Sequence, residues 1–173
     1  MPDSFHCELE AFFEKQLERT NYWLSFAEAK NAALIAFNVA AIAFIAEFQK
    51  NFPMFSTVIM ILFVVSCIIC LVSFFPKAYN RPKMLKTNEQ SDNLVFWNDI
   101  AMIKDEERYI ELVIDRYFPG KNLNREPNKL CYDLASEIVI NSRIARSKYN
   151  CFKNALKVDV ISFLLCILLF VAA

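Results

Sequence analysis

Met54–Phe75 reads MFSTVIMILFVVSCIICLVSFF, and this stretch decides the fold class. It lies inside 51–76, where 26 consecutive residues carry no charge. As a helix it is about 33 Å long, enough to cross the ~30 Å hydrocarbon core of a bilayer. Upstream, Asn31–Ala46 is uncharged over 16 residues, about 24 Å as a helix, with Lys30 and Lys50 able to snorkel at its ends. Downstream, Val160–Ala173 (VISFLLCILLFVAA) is a third apolar run of 14 residues. Only Glu47–Pro53 joins the first two spans, which forces a tight hairpin. The reading is an all-α integral membrane protein with no strand pattern. Its expected parts are an amphipathic N-terminal helix over 1–30, a transmembrane hairpin over 31–76 (about 31–48 and 54–76), a helical sensor region over 77–157 and a C-terminal transmembrane helix over 158–173.

Basic residues set the orientation of such a chain. Lys77, Arg81, Lys83 and Lys86 follow the second span, and Arg143, Arg146, Lys148, Lys153 and Lys157 precede the third. Residues 77–157 hold 15 bases against 11 acids. That region is therefore expected in the cytoplasm, with the N-terminus beside it. The first 30 residues carry six acids and three bases, the opposite of a basic segment leading a signal peptide, so none is expected.

Composition excludes much chemistry. Of 173 residues 56% are hydrophobic, only Gly120 is glycine and only His6 is histidine. A P-loop or a dinucleotide fingerprint needs several glycines at fixed spacing. One histidine removes His-cluster metal sites and most His-based acid–base schemes. No catalytic residue, metal or cofactor is expected. Cys67-Ile-Ile-Cys70 has the spacing of a redox pair, but it sits in an apolar run where thiolate chemistry is disfavoured.

Outside the spans, Phe5, Leu9, Phe12, Phe13, Leu17 and Leu24 recur at helical spacing, and no Gly or Pro interrupts 3–52. A polar linker (78–93), an aromatic cluster at Phe96–Ala101 and a short helix over about 105–118 follow. A long helix then starts near Glu126-Pro127 and meets no further breaker. Along span one, Ala32, Ala36 and Ala40 form part of a small-residue stripe suited to close helix approach. Asn31 and Asn38 are seven apart on one face, either packing glue within the chain or lining of a wet lumen. No charge is expected in mid-membrane. Arg143, Arg146, Asn150, Lys153 and Lys157 form a basic stripe that suits lipid phosphates or an anionic ligand.

Five ordered stretches resemble the membrane-spanning effectors of the bacterial Pycsar anti-phage systems. They are Asn21–Asn38 (NYWLSFAEAKNAALIAFN), Phe96–Ala101 (FWNDIA), Glu106–Tyr109 (EERY), Leu134–Ile138 leading into Asn141–Ala145, and Lys148-Tyr149. The resemblance implies an effector of the bacterial inner membrane. A partner pyrimidine cyclase would make cyclic CMP or cyclic UMP, and the effector would impair the membrane and abort infection. Joined to the residues, it suggests Arg143, Arg146 or Lys148 for the phosphate, Asn141 for a base or ribose edge and Trp97 for stacking. Expected partners are the lipid bilayer, the cyclic nucleotide, the cyclase and further copies of the chain, with no nucleic acid. Three competing readings are a constitutive small channel or transporter subunit, a membrane-anchored carboxylate hydrolase using Asp99 and the acids of 105–111, and a passive adaptor docking partners through the amphipathic N-terminal helix.

Overall fold

The computed structural model describes residues 4–75, 93–120 and 126–172, and these form five helices. The basic group Lys77, Arg81, Lys83 and Lys86, and nearly all of the expected linker, lie outside the described residues. The helices are α1 (Ser4–Ala46), α2 (Pro53–Val72), α3 (Trp97–Ile100), α4 (Glu106–Tyr117) and α5 (Lys129–Ala172). The all-α expectation holds: no strand occurs among the described residues. Three of the helices, α1, α2 and α5, are long and apolar enough to cross a membrane.

Local chemistry explains where the helices begin and end. No Gly or Pro interrupts α1, so it continues over 43 residues. It stops ahead of Pro53, which then sits in the first turn of α2, where its missing N–H costs nothing. Asp105 caps α4 by accepting from the Arg108 N–H at 2.9 Å. Glu106 and Glu107 in the first turn and Arg116 in the last complement the helix dipole. Gly120 takes a φ of 80° just past α4, a conformation that a Cβ would strain. α5 starts at Lys129 rather than at Glu126-Pro127, because the Asn128 side chain accepts from the Cys131 N–H at 3.0 Å and acts as the cap. Phe96–Ala101 contains the single-turn α3, introduced by Asn93, whose side chain accepts from the Val95 and Phe96 N–H groups.

The chain divides into two compact units. The first comprises Met1–Ser25 and Lys77–Arg146. Its core joins Phe5, Leu9 and Phe13 of α1 to Leu94, Ile100, Tyr109, Val113, Ala135 and Ile138. Phe12 and Leu17 pack on it as partly buried neighbours, so most of the expected apolar face of α1 is used. Two buried polar groups tie the segment before α3 to this core. The Tyr109 hydroxyl donates to Leu94 O at 3.0 Å, and Gln16 Nε2 donates to Val95 O at 2.9 Å. Burial pushes the Tyr109 hydroxyl far above its ordinary value, so it is a permanent donor.

The second unit comprises Phe26–Pro76 and Ser147–Ala173. Its polarity is inverted relative to a water-soluble domain. Val58, Ile61, Val65, Ile68, Phe163 and Leu168 are exposed, while Asn31, Asn38, Ser66, Asp159 and Ser162 are buried. On α2 the buried positions are Ser56, Ile59, Phe63, Ser66 and Cys70, alternating three and four apart. That spacing puts them on one face of α2, which buries three small side chains with Ile59 and Phe63 and leaves other large apolar side chains exposed. Ile45, Ile59, Phe63 and Leu169 make its apolar cluster.

Candidate functional site

In the first unit α5 brings two arginines to the turn that follows α3. Arg143 is only 7% exposed, and its Nη2 donates to Ile103 O at 2.6 Å and to Lys104 O at 2.7 Å. One turn on, Arg146 Nη1 donates to the Met102 sulfur. A single guanidinium thus holds two carbonyls of the stretch between α3 and α4, and its neighbour holds the residue before them. Trp97 opens α3 and is 9% exposed. Asn141 Nδ2 donates to Asn21 Oδ1 at 2.9 Å, joining α5 to α1 at the surface. The structure therefore gathers Arg143 and Arg146 on the 102–104 turn that directly follows the helix of Trp97, with Asn141 on the same stretch of α5.

Lys148 belongs to the second unit. Its Nζ donates to Ser73 O at 2.8 Å, pairs with Glu28 at 3.0 Å and lies 5.5 Å from the Phe74 ring centroid. A cation on the last carbonyls of α2 is favoured by the helix dipole. Lys148 O in turn accepts from Asn31 Nδ2 at 3.2 Å, and Asn31 also donates to Ala27 O. Lys30 lies over Phe26 at 4.6 Å and over Tyr149 and Phe152 slightly farther out. The two lysines and Glu28 form a charged, aromatic-rich end to the unit.

Deeper in the same unit Asn38 links all three helices. One end of its amide is 2.9 Å from Ser66 Oγ, and the other is 3.2 and 3.3 Å from the two carboxyl oxygens of Asp159. Ser66 Oγ also lies 3.3 Å from Ala155 O on α5. The expectation of no charged residue in mid-membrane is thereby corrected. Asp159 is 4% exposed and packs beside residues central to the apolar runs of α1 and α2. The uncharged run begins only at Val160, so Asp159 falls within the expected 158–173 helix without being singled out. The available signal was register: Lys148, Ala155, Asp159, Ser162 and Leu169 share one buried face of α5 at spacings of three, four and seven.

Asn31 and Asn38 are both buried within this unit. Ala32, Ala36 and Ala40 lie on its exposed surface instead, where Ala40 joins Phe37, Phe44, Phe163 and Phe170 around an apolar cavity of about 470 Å³. The acids of α4 sit at its first turn or on its outer face, and Arg108 pairs with Glu111 at 3.1 Å. Among the described residues no group of three His, Cys, Asp or Glu is placed to hold a metal ion. In the first unit, burial raises the Cys131 thiol to about 11, which marks a packed rather than a reactive cysteine.

Residues 12–173 match the family model of the Pycsar effector protein domain. The chain is also 32% identical over 135 residues to the Pycsar effector protein RsPycTM of a Rhizobium species, covering 73% of this chain and 74% of that one. No solved structure matches.

Proposed function

This chain belongs to the Pycsar effector family, and from that premise we propose that it responds to cyclic CMP or cyclic UMP by impairing the bacterial inner membrane. Its role in anti-phage defence follows from the family; the nucleotide, the damage and their coupling are our reading. A partner pyrimidine cyclase supplies the signal, and the N-terminus and 77–157 face the cytoplasm. The chain acts as a binding and membrane-remodelling protein, without catalysis.

The observation that supports this most is the continuity of α1 and α5, unbroken helices of 43 and 44 residues. At 1.5 Å per residue each is about 65 Å long, roughly twice the hydrocarbon core of a bilayer. A helix that long can carry a change at its polar part into its apolar part. The ligand reading uses Arg143 and Arg146 for the phosphate, Asn141 for a base or ribose edge and Trp97 for stacking. A phosphate arriving at the 102–104 turn competes with two neutral carbonyls for the Arg143 guanidinium. A charge-assisted bond is about twice as strong as a neutral one, so the ligand can release that turn from α5. Lys148 is engaged within its own unit and takes no part in this exchange. The exposed Ala32, Ala36 and Ala40 stripe supplies a face for close contact with a second copy in the membrane.

Dye-loaded liposomes carrying the purified protein test the reading. Release is expected on adding one of the two cyclic nucleotides, with the nucleotide recovered intact. No release with either one refutes the proposal, release without nucleotide favours a constitutive channel, and consumption of the nucleotide favours a hydrolase. Calorimetry tests the site. Unaltered binding by an Arg143→Ala, Arg146→Ala double variant would remove it.

A further inference from the structure

The polar cluster deep in the apolar unit has an unusual donor–acceptor balance. Asn38 comes from α1, Ser66 from α2 and Asp159 from α5. No ion pair reaches Asp159 among the described residues; the pair formed by α5 in this unit is that of Lys148 with Glu28, three helical turns away. The ionisable groups that face Asp159 are Cys67 and Cys70 of α2, neither of them a cation. On α1 the residues flanking Asn38 by one turn are Leu34, Ile35, Ala41 and Ile42, and on α5 Lys157 points outward and is exposed. A bare carboxylate so placed would be desolvated without a counter-charge, which an apolar interior strongly disfavours.

We propose that Asp159, Asn38 and Ser66 form a proton-binding site inside the three-helix bundle, occupied while α1, α2 and α5 are packed together. With a proton on Asp159 every group in the chain of contacts is satisfied in one direction. The Asp159 O–H donates to Asn38 Oδ1, Asn38 Nδ2 donates to Ser66 Oγ at 2.9 Å, and the Ser66 O–H donates to Ala155 O at 3.3 Å. Removing the proton reverses the chain. The amide must turn so that its N–H groups face the carboxylate at 3.2 and 3.3 Å, and its oxygen then takes the Ser66 hydrogen. Ser66 has one hydrogen to give, so Ala155 O loses it, and with it goes the hydrogen bond between α2 and α5. Proton occupancy and the pairing of these two helices are therefore one equilibrium. If the bundle opens to water, the Asp159 O–H bond breaks, the proton passes to a water molecule, and hydration stabilises the carboxylate left behind. That last coupling rests on the membrane-impairing reading, whereas the proton site in the packed bundle does not.

Infrared spectroscopy of the full-length protein in lipid nanodiscs at pH 7, without nucleotide, tests the site. The expected result is a carbonyl band of a protonated carboxylic acid that shifts on labelling aspartate with carbon-13 and is lost in Asp159→Asn. The labelled wild-type protein makes the test independent of whether the variant folds. Absence of a label-sensitive acid band, or its survival in a folded Asp159→Asn protein, overturns the proposal. Because the measurement needs neither nucleotide nor leakage, failure of the liposome experiment leaves its outcome intact, and the reverse is equally true.

Discussion

Replacing Arg143 with Ala removes one guanidinium nitrogen from two carbonyls, and the structure allows the cost to be worked out. The bonds to Ile103 O and Lys104 O are 2.6 and 2.7 Å long. Ile103 is buried, so its carbonyl is left without a partner, a penalty of about 1–3 kcal/mol. Lys104 is exposed and water can replace the arginine there, leaving a net loss of about 1 kcal/mol. Packing of the buried arginine stem adds roughly 1 kcal/mol more. The total is about 3–5 kcal/mol, which for a chain of this size lowers the melting midpoint by roughly 10 °C. Both tryptophans, Trp23 and Trp97, belong to the first unit, so intrinsic fluorescence during heating in detergent reports on that unit. Arg146→Ala is the control. Arg146 is only partly buried and rests on a thioether, so its loss is expected to cost less than about 1 kcal/mol. A midpoint for Arg143→Ala within about 2 °C of wild type, or equal to that of Arg146→Ala, would refute the reasoning. It would mean that the two carbonyls do not depend on the guanidinium.

Tyr109→Phe deletes the hydroxyl that serves Leu94 O, and the same melting assay should show a loss of about 1–3 kcal/mol because that carbonyl is left buried. Asp105→Ala removes the cap of α4 and should lower stability by about 1 kcal/mol, read by the same melting curves, whereas Asp105→Asn should retain most of it. Cys131, held near 11, should resist maleimide at pH 8 while the exposed Cys7 reacts, and unfolding should equalise them. The folded protein keeps the Cys131 proton where the unfolded chain releases it. Its contribution to stability is therefore complete below the ordinary thiol value of 9.0, declines as pH rises above that value and is gone above about 11, which melting curves recorded against pH can follow.

The features legible in the sequence rest on properties each residue carries wherever it sits. The uncharged run of Met54–Phe75 implies a membrane-length helix because desolvating backbone is tolerable only when its hydrogen bonds are internal, and α2 covers Pro53–Val72. The absence of Gly and Pro ahead of Pro53 accounts for the length of α1, and Asp105, at the expected start of the short helix, is the residue that caps it. The candidate ligand residues were legible as a basic stripe but not as a site. Spacing along α5 does not say that Arg143 reaches the carbonyls after α3 while Lys148, five residues on, is committed to the end of α2. Ala32, Ala36 and Ala40 look like a packing face on a helical wheel, yet the seam within this chain runs through Asn31, Asn38 and Ile45.

By itself, then, the sequence determined the helical class, the three apolar spans, the family and the segregation of charge between segments. All of these follow from the order of residues along one chain and from periodicity within one helix. Only the tertiary structure decided which polar groups meet. Asp159 falls inside the expected 158–173 helix but nothing in the order of residues singles it out, because hydropathy is a sum along the chain. In the bundle it lies against Asn38 and Ser66, which are 121 and 93 positions away in sequence. Such a contact depends on the register of three helices at once, and a buried polar group takes its meaning from its partners, which no single helix specifies.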